Sequence, residues 1–195
     1  DVCVFCSELF YEGRLAARTE NARQQLNASG PLGGTGLRFI SVEHSGNQNE
    51  SPEEVERVAA LVEGLLAEHA TWTDKTGKTE PLRLQDILVV APYNAQVSAL
   101  AERLPAGARV GTVDKFQGQE APLVFYSMAT STPEDAPRGM EFLYSLNRLN
   151  VAVSRARCIA VIVANPALFR VHCKYQRQME LANAFCRYLE MARTT

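Results

Sequence analysis

The chain has 195 residues, enough for one well-buried domain and cramped for two. Its 46% apolar and 22% charged residues are ordinary for a globular protein, and no window approaches the roughly 18 consecutive apolar residues of a membrane span. A formal net charge of −2 excludes a domain that grips nucleic acid by overall charge, so any such contact must be local.

The first residue is Asp1 rather than methionine, and a helix-like pattern (Val2, Phe5, Leu9, Phe10) follows at once, as in a piece of a longer protein. Five cysteines, an odd number, without a secretory leader point to reduced thiols and an intracellular, cytoplasmic setting. Cys3 and Cys6 form a CxxC pair, but no second pair follows, and they read as small apolar residues one helical turn apart. His172 beside Cys173 lacks the spacing of metal ligands, so no metal site is expected.

Residues 12–36, "EGRLAARTENARQQLNASGPLGGTG", are polar and end in a glycine cluster, which predicts an irregular surface connection. "LRFISVEH" (37–44) alternates apolar and polar residues as a strand would. The most secure helix starts at Ser51 as N-cap, with Pro52 at the first helical position and Glu54 closing a capping box. Its apolar face carries Val55, Val58, Ala59, Val62, Leu65 and Leu66.

"DILVVAP" (86–92) has the length and apolarity of a buried strand, and a helix with Val97, Leu100, Ala101 and Leu104 on one face follows. Further strands are predicted at 109–113, 123–129 and 158–166, a helix over 146–157, and a last helix from about Tyr175 to Met191. Between Met128 and Tyr144 lies a long polar loop with two prolines and a glycine. Apolar strands alternating with amphipathic helices imply an α/β fold: a mostly parallel sheet with helices on both faces, in which function gathers beyond the carboxyl ends of the strands.

The chemistry is narrowed by what is missing. No GxxxxGK followed by Ser or Thr is present, and the "GPLGGTG" glycines (30–36) follow no strand and precede no lysine, so this chain alone should not hydrolyse nucleotide. The three histidines, His44, His69 and His172, fall in no nucleophile arrangement, and no GxSxG elbow occurs.

Two segments remain. In "TVDKFQGQE" (112–120), Gly118 allows a backbone conformation or a close ligand approach that a side chain would obstruct, beside the hydrogen-bonding groups of Gln117, Gln119 and Glu120; an ordinary polar turn has the same composition. In "LNRLNVAVSRAR" (146–157), helical spacing puts Leu146, Leu149, Val153 and Ala156 on one stripe. Arg148, Ala152 and Arg155 share another, with the two arginines about 10 Å apart along the axis and Arg157 projecting elsewhere. Small neighbours rather than acids surround Arg155, which leaves its guanidinium free for an anion such as phosphate.

"ILVVAPYNAQ", "VGTVDKFQGQE" and "LNRLNVAVSRAR", in that order and each joined to an apolar strand, resemble motifs IV, V and VI of superfamily 1 helicases, in the branch of the RNA-surveillance helicase and its DNA-replication relatives. The resemblance implies that residues 1–195 form the second, carboxyl-terminal RecA-like lobe of a two-lobed motor, a three-layer α/β/α fold whose first lobe carries the phosphate loop. It implies ATP and Mg2+ as cofactors of the full-length protein, with none tightly bound by this chain alone. Its partners would be the first RecA-like lobe and single-stranded DNA or RNA, with no membrane.

Residue by residue, Arg155 is similar to the catalytic arginine finger of motif VI, which reaches the γ-phosphate across the cleft. Gly118 and Glu120 match positions against the nucleotide's phosphates and ribose. Arg148 also falls in motif VI and would serve either the nucleotide or a structural ion pair. Thr112 matches a contact to the nucleic-acid backbone, with Lys115 a second candidate, and Tyr93 and Gln96 match motif IV on the nucleic-acid side. The family's "YRMHP" segment, with its arginine and adenine-stacking tyrosine, does not precede "SELFYEGRL" here. The rival reading is a non-catalytic nucleic-acid-binding or regulatory module that retains the fold.

Overall fold

A computed structural model describes residues 2–194; Asp1, and with it the reading of the chain's start, and Thr195 lie outside the described residues. The helices are α1 (Val2–Phe10), α2 (Pro52–Ala67), α3 (Asn94–Arg103), α4 (Gly139–Leu143), α5 (Leu146–Ser154) and α6 (Gln176–Met191). The strands are β1 (Gln25–Asn27), β2 (Gly36–Ser41), β3 (Thr71–Thr73), β4 (Thr79–Pro81), β5 (Ile87–Val90), β6 (Arg109–Gly111), β7 (Ala121–Ser127), β8 (Ala156–Ala164) and β9 (Arg193–Thr194).

Six strands form one sheet in the order β6-β5-β7-β8-β2-β9, and every neighbouring pair is parallel. Consecutive residues of a strand face opposite sides, so a sheet covered twice needs apolar residues at every position. Leu88, Val90, Val124, Tyr126, Ala160 and Ile162 pack on one face with α1, α5 and α6. Ile87, Val89, Leu123, Phe125, Ile159 and Val161 pack on the other with α2 and α3. This is the three-layer α/β/α arrangement expected of a RecA-like domain.

Two local readings change. The 37–44 stretch is not a half-buried alternating strand, because β2 lies between β8 and β9 and is buried on both sides. The one charged residue of β2, Arg38, is 1% exposed. Arg38 donates to the carbonyls of Pro31 (2.7 Å), Gly33 (2.6 Å), Thr35 (3.0 Å) and Leu37 (3.0 Å). The glycine cluster therefore turns its carbonyls, not its amides, inward on a cation, which is the opposite polarity from a phosphate cradle.

Residues 12–36 are also less irregular than their composition suggests. Within them β1 pairs antiparallel with β3, which pairs with β4, giving a small second sheet. Leu26 (1% exposed) and Trp72 from this sheet join the α2 and α3 side of the core. A three-residue strand anchored by one leucine is too short for period-two reading, so tertiary pairing alone reveals it.

The start of α2 holds a third correction. Ser51 caps the helix as predicted, accepting a hydrogen bond from the Glu54 amide at 3.2 Å. Glu54 does not complete a capping box, for its carboxylate turns into the protein and accepts from Ser127 Oγ (2.6 Å) and the Ala129 amide (3.0 Å). The Ser51 amide that a capping box would satisfy donates instead to Gln96 Oε1 at 2.8 Å.

Candidate functional site

Parallel strands force every connection to cross from the carboxyl edge of the sheet back to its amino edge. The segment from Thr112 to Glu120 makes such a crossing, leaving the carboxyl end of β6 and entering the amino end of β7. One end of this segment therefore belongs to each edge. The candidate residues divide in the same way.

Glu120 and Arg155 come together at the amino edge. They immediately precede β7 and β8, which pair from Ala121 and Ala156 onward, and the Ala121 amide donates to the Arg155 carbonyl at 3.0 Å. α5 ends at Ser154 and Arg155 is its C-cap with helical backbone, so Ala156 leaves the predicted apolar stripe and Arg157 enters the strand. The strand pairing of the apolar run after Arg155 overrides helical periodicity there.

Arg155 is half-buried, and its guanidinium donates only to the Val151 carbonyl (3.2 Å) and Ser154 Oγ (3.3 Å) among the described residues. Among the described residues no carboxylate meets it. Glu120 instead accepts from Arg157 Nε at 3.2 Å, with both side chains about half exposed. Such an open pair contributes little to stability and separates readily. Gly118 adopts φ +78°, a left-handed turn that an L side chain resists, while a side chain there would meet nothing within 4 Å. Conformation, rather than crowding within this chain, requires the glycine.

Beside these residues opens a cleft of about 820 Å³, lined by Glu120, Ser154, Ala156 and Arg157, by Gly36 at the start of β2, and by Cys3 and Cys6 of α1. Burial pushes the Cys6 and Cys158 thiols up to about 12, so both stay protonated and behave as small apolar groups. Cys6 thus packs as a small apolar residue.

Thr112, Tyr93 and Gln96 lie at the carboxyl edge. Val90 of β5 pairs with Gly111 of β6, so Thr112 and Tyr93 leave adjacent strand ends. Thr112 is half-buried and its hydroxyl engages no protein group among the described residues. Lys115 is exposed, but its ammonium turns back to the Val110 carbonyl at 2.8 Å, its stem lying against Gly111. Tyr93 is 6% exposed, packing its ring 5.3 Å from that of Phe142.

Gln96 requires a correction. It is 0% exposed, and its amide is spent between the Ser51 amide and Ser127 Oγ, each at 2.8 Å. It holds α2, α3 and β7 together and offers nothing to a nucleic acid. Arg148 also stands elsewhere than predicted. At the start of α5 it lies with Tyr93 and Phe142 at the carboxyl edge, not with Glu120 and Arg155, and it forms no ion pair among the described residues.

Sequence reading also missed a buried chain of polar groups. Glu54 Oε1 meets His44 Nε2 at 3.0 Å, and His44 Nδ1 meets Ser131 Oγ at 2.8 Å, which is the connectivity of a Ser-His-acid triad. Glu54 and Ser131 are 0% exposed and so is the His44 side chain, so no substrate reaches the serine. The arrangement is structural. It pins Ala129, whose φ of +67° is left-handed, at the end of β7.

A family model described as an AAA domain matches residues 1–167. An uncharacterized ATP-dependent helicase of Caenorhabditis elegans is 31% identical over 170 residues, covering 82% of this chain and 10% of that protein. A probable RNA helicase, armi, of Drosophila melanogaster is 32% identical over 129 residues, 62% of this chain and 10% of its own length. The regulator of nonsense transcripts 1 homolog of Neurospora crassa is 28% identical over 185 residues, 88% of this chain and 16% of that protein. The chain thus spans a small part of the relatives it matches.

Proposed function

We propose that this chain, which belongs to the AAA-domain family forming the carboxyl-terminal helicase domain of superfamily 1 helicases, is the second motor lobe of an ATP-dependent helicase or translocase acting on single-stranded RNA or DNA. The observation that carries this reading is the state of Arg155. It is a half-buried guanidinium that meets no carboxylate among the described residues, next to Glu120 at the starts of two paired strands, with its neighbours Ser154 and Ala156 lining a cleft, in a chain without a phosphate loop.

In this reading the first lobe would bring ATP and Mg2+ to the cleft, the metal supplying charge neutralisation at the phosphates when bound. Arg155 donates to the γ-phosphate, where its planar fork stabilises charge that develops during transfer. Glu120 exchanges Arg157 for the ribose hydroxyls. Gly118 keeps the turn before it open to the phosphates. Because the segment 112–120 joins the two sheet edges, closure of the lobes on ATP displaces Thr112 and the strand it holds, and hydrolysis releases it. The lobe acts inside the cell.

Half a cleft binds poorly. Calorimetric titration of this chain alone with ATP and Mg2+ is expected to give no measurable heat, whereas the full-length protein hydrolyses ATP. Tight binding by the isolated chain would instead mark an independent nucleotide-binding domain.

At the other edge, Thr112→Val keeps the shape of the side chain and removes one hydroxyl. Single-strand affinity of the full-length protein should fall about tenfold, the worth of a hydrogen bond to a charged group. Because no charge is lost, the drop should be similar at low and high salt; unchanged affinity would remove Thr112 from the track.

A further inference from the structure

Phe142, in α4 at the end of the long loop after β7, carries two cations. The guanidinium carbons of Arg138 and Arg148 each lie 4.0 Å from the centre of its ring. Tyr93 packs against the same ring at 5.3 Å. The loop also contains Glu134, Asp135 and Glu141, yet neither arginine forms an ion pair with any carboxylate among the described residues.

A guanidinium stacked on an aromatic ring uses its face and leaves its N–H donors, which lie in its plane, unused. Arg148 spends one of them on the Phe142 carbonyl at 3.4 Å. Arg138 is exposed and engages no acceptor among the described residues. It is a cation whose flexible stem has been ordered against a ring while its hydrogen-bonding fork faces water. That is the preparation needed for bidentate capture of a phosphate.

Its position in the sheet is equally informative. Along the carboxyl edge the strands run β6, β5, β7, so Thr112, Tyr93 and the loop bearing Arg138 and Phe142 follow one another across three adjacent strand ends. We propose that Arg138, ordered by Phe142, is a phosphate contact for a single-stranded nucleic acid and extends the track beyond Thr112. Arg148, on the same ring, is a positioning residue for that contact rather than a nucleotide ligand. This inference rests on the helicase reading and adds to it a residue and a chemistry.

The test is anisotropy of fluorescein-labelled oligo-dT and oligo-U titrated with the full-length protein, over a range of salt concentrations. Arg138→Gln should weaken both probes by roughly threefold to tenfold at low salt and make the plot of log affinity against log salt shallower by about 0.7, one phosphate contact on a single strand. Phe142→Leu should reproduce part of the loss with the charge intact, since it frees the arginine to wander. Arg138 is exposed, and unchanged thermal unfolding of the variant verifies its fold.

Wild-type affinity and slope in Arg138→Gln, with Thr112→Val still weakened, would overturn this inference and leave the helicase reading standing. An effect on only one of the two probes would overturn the phosphate assignment, because both backbones carry the same phosphates. A wild-type protein that binds neither probe would overturn both readings.

Discussion

Replacing Arg155 by alanine in the full-length protein is expected to lower ATP turnover by about three orders of magnitude or more, the range attributed to arginine fingers, while single-strand affinity stays within about twofold. The two readouts separate because the guanidinium is asked to act on charge that develops in the transition state, and an interaction realised only there appears in kcat. Arg155 also sits at the amino edge of the sheet, whereas Thr112 and Tyr93 sit at the carboxyl edge. On the proposed assignment, loss of the Arg155 guanidinium is therefore expected to remove no contact to the strand.

The variant should fold. Among the described residues, Arg155 in the resting lobe donates to one carbonyl and one hydroxyl of its own helix, and truncation orphans no buried partner there. Arg155→Lys is the informative companion, since it retains the charge and loses the planar fork; an intermediate loss is expected. The check is steady-state phosphate release beside anisotropy on the same preparations, and wild-type turnover in the alanine variant would exclude the assigned role.

The second large effect concerns stability. Glu54→Ala is expected to destabilise the domain by about 3–5 kcal/mol, as removal of one member of a buried charged or hydrogen-bonded pair does. The carboxylate receives Ser127 Oγ and the Ala129 amide from the end of β7 and His44 from the segment after β2, all away from water. Truncation leaves those groups without partners and opens a cavity at the junction of α2 and β7. For a domain of this size the melting temperature should fall by roughly 10 °C.

Glu54→Gln keeps the volume and one acceptor, and should lose about half as much, because only one of its terminal atoms can still accept. Thermal and urea unfolding decide the matter. A loss below about 1 kcal/mol in the alanine variant would mean that water replaces the carboxylate and that the network holds nothing. The network also sets geometry. Ala129 keeps a left-handed conformation that costs about 1–2 kcal/mol in isolation, and its amide is tied to Glu54 just where the long loop leads toward Arg138.

What was legible beforehand had a local cause. The apolar runs within 86–92, 123–129 and 158–166 announce strands buried on both faces, since only a doubly covered sheet tolerates that pattern, and they form as β5, β7 and β8. Ser51 and Pro52 mark a helix start through chemistry confined to one turn. Gly118 and Arg155 were visible as a glycine with a conformational purpose and an arginine without acids nearby. The ends of β8 and α5 were less so, because a strand and a helix compete for Arg155 to Arg157 and only pairing with β7 settles the boundary.

Other features were beyond the reach of local reading. Glu54 three residues after Ser51 has the spacing of a capping box, and nothing nearby in sequence says that His44, Gln96 and Ser127 will close around it. Arg148 and Arg155 share a helical stripe, but a helix that crosses the sheet delivers its two ends to opposite edges, so one arginine meets Phe142 and the other stands beside Glu120 at the amino edge.

The order of residues by itself determined the parallel α/β core, the missing phosphate loop and an arginine without acids at salt-bridge spacing, because periodicity, motif spacing and the absence of neighbouring charge are properties of short segments. Only the tertiary structure decided which edge each candidate occupies, which polar groups are buried and spent, and which cation is left to meet a partner. Those depend on contacts between residues dozens of positions apart, and no short-range pattern encodes them.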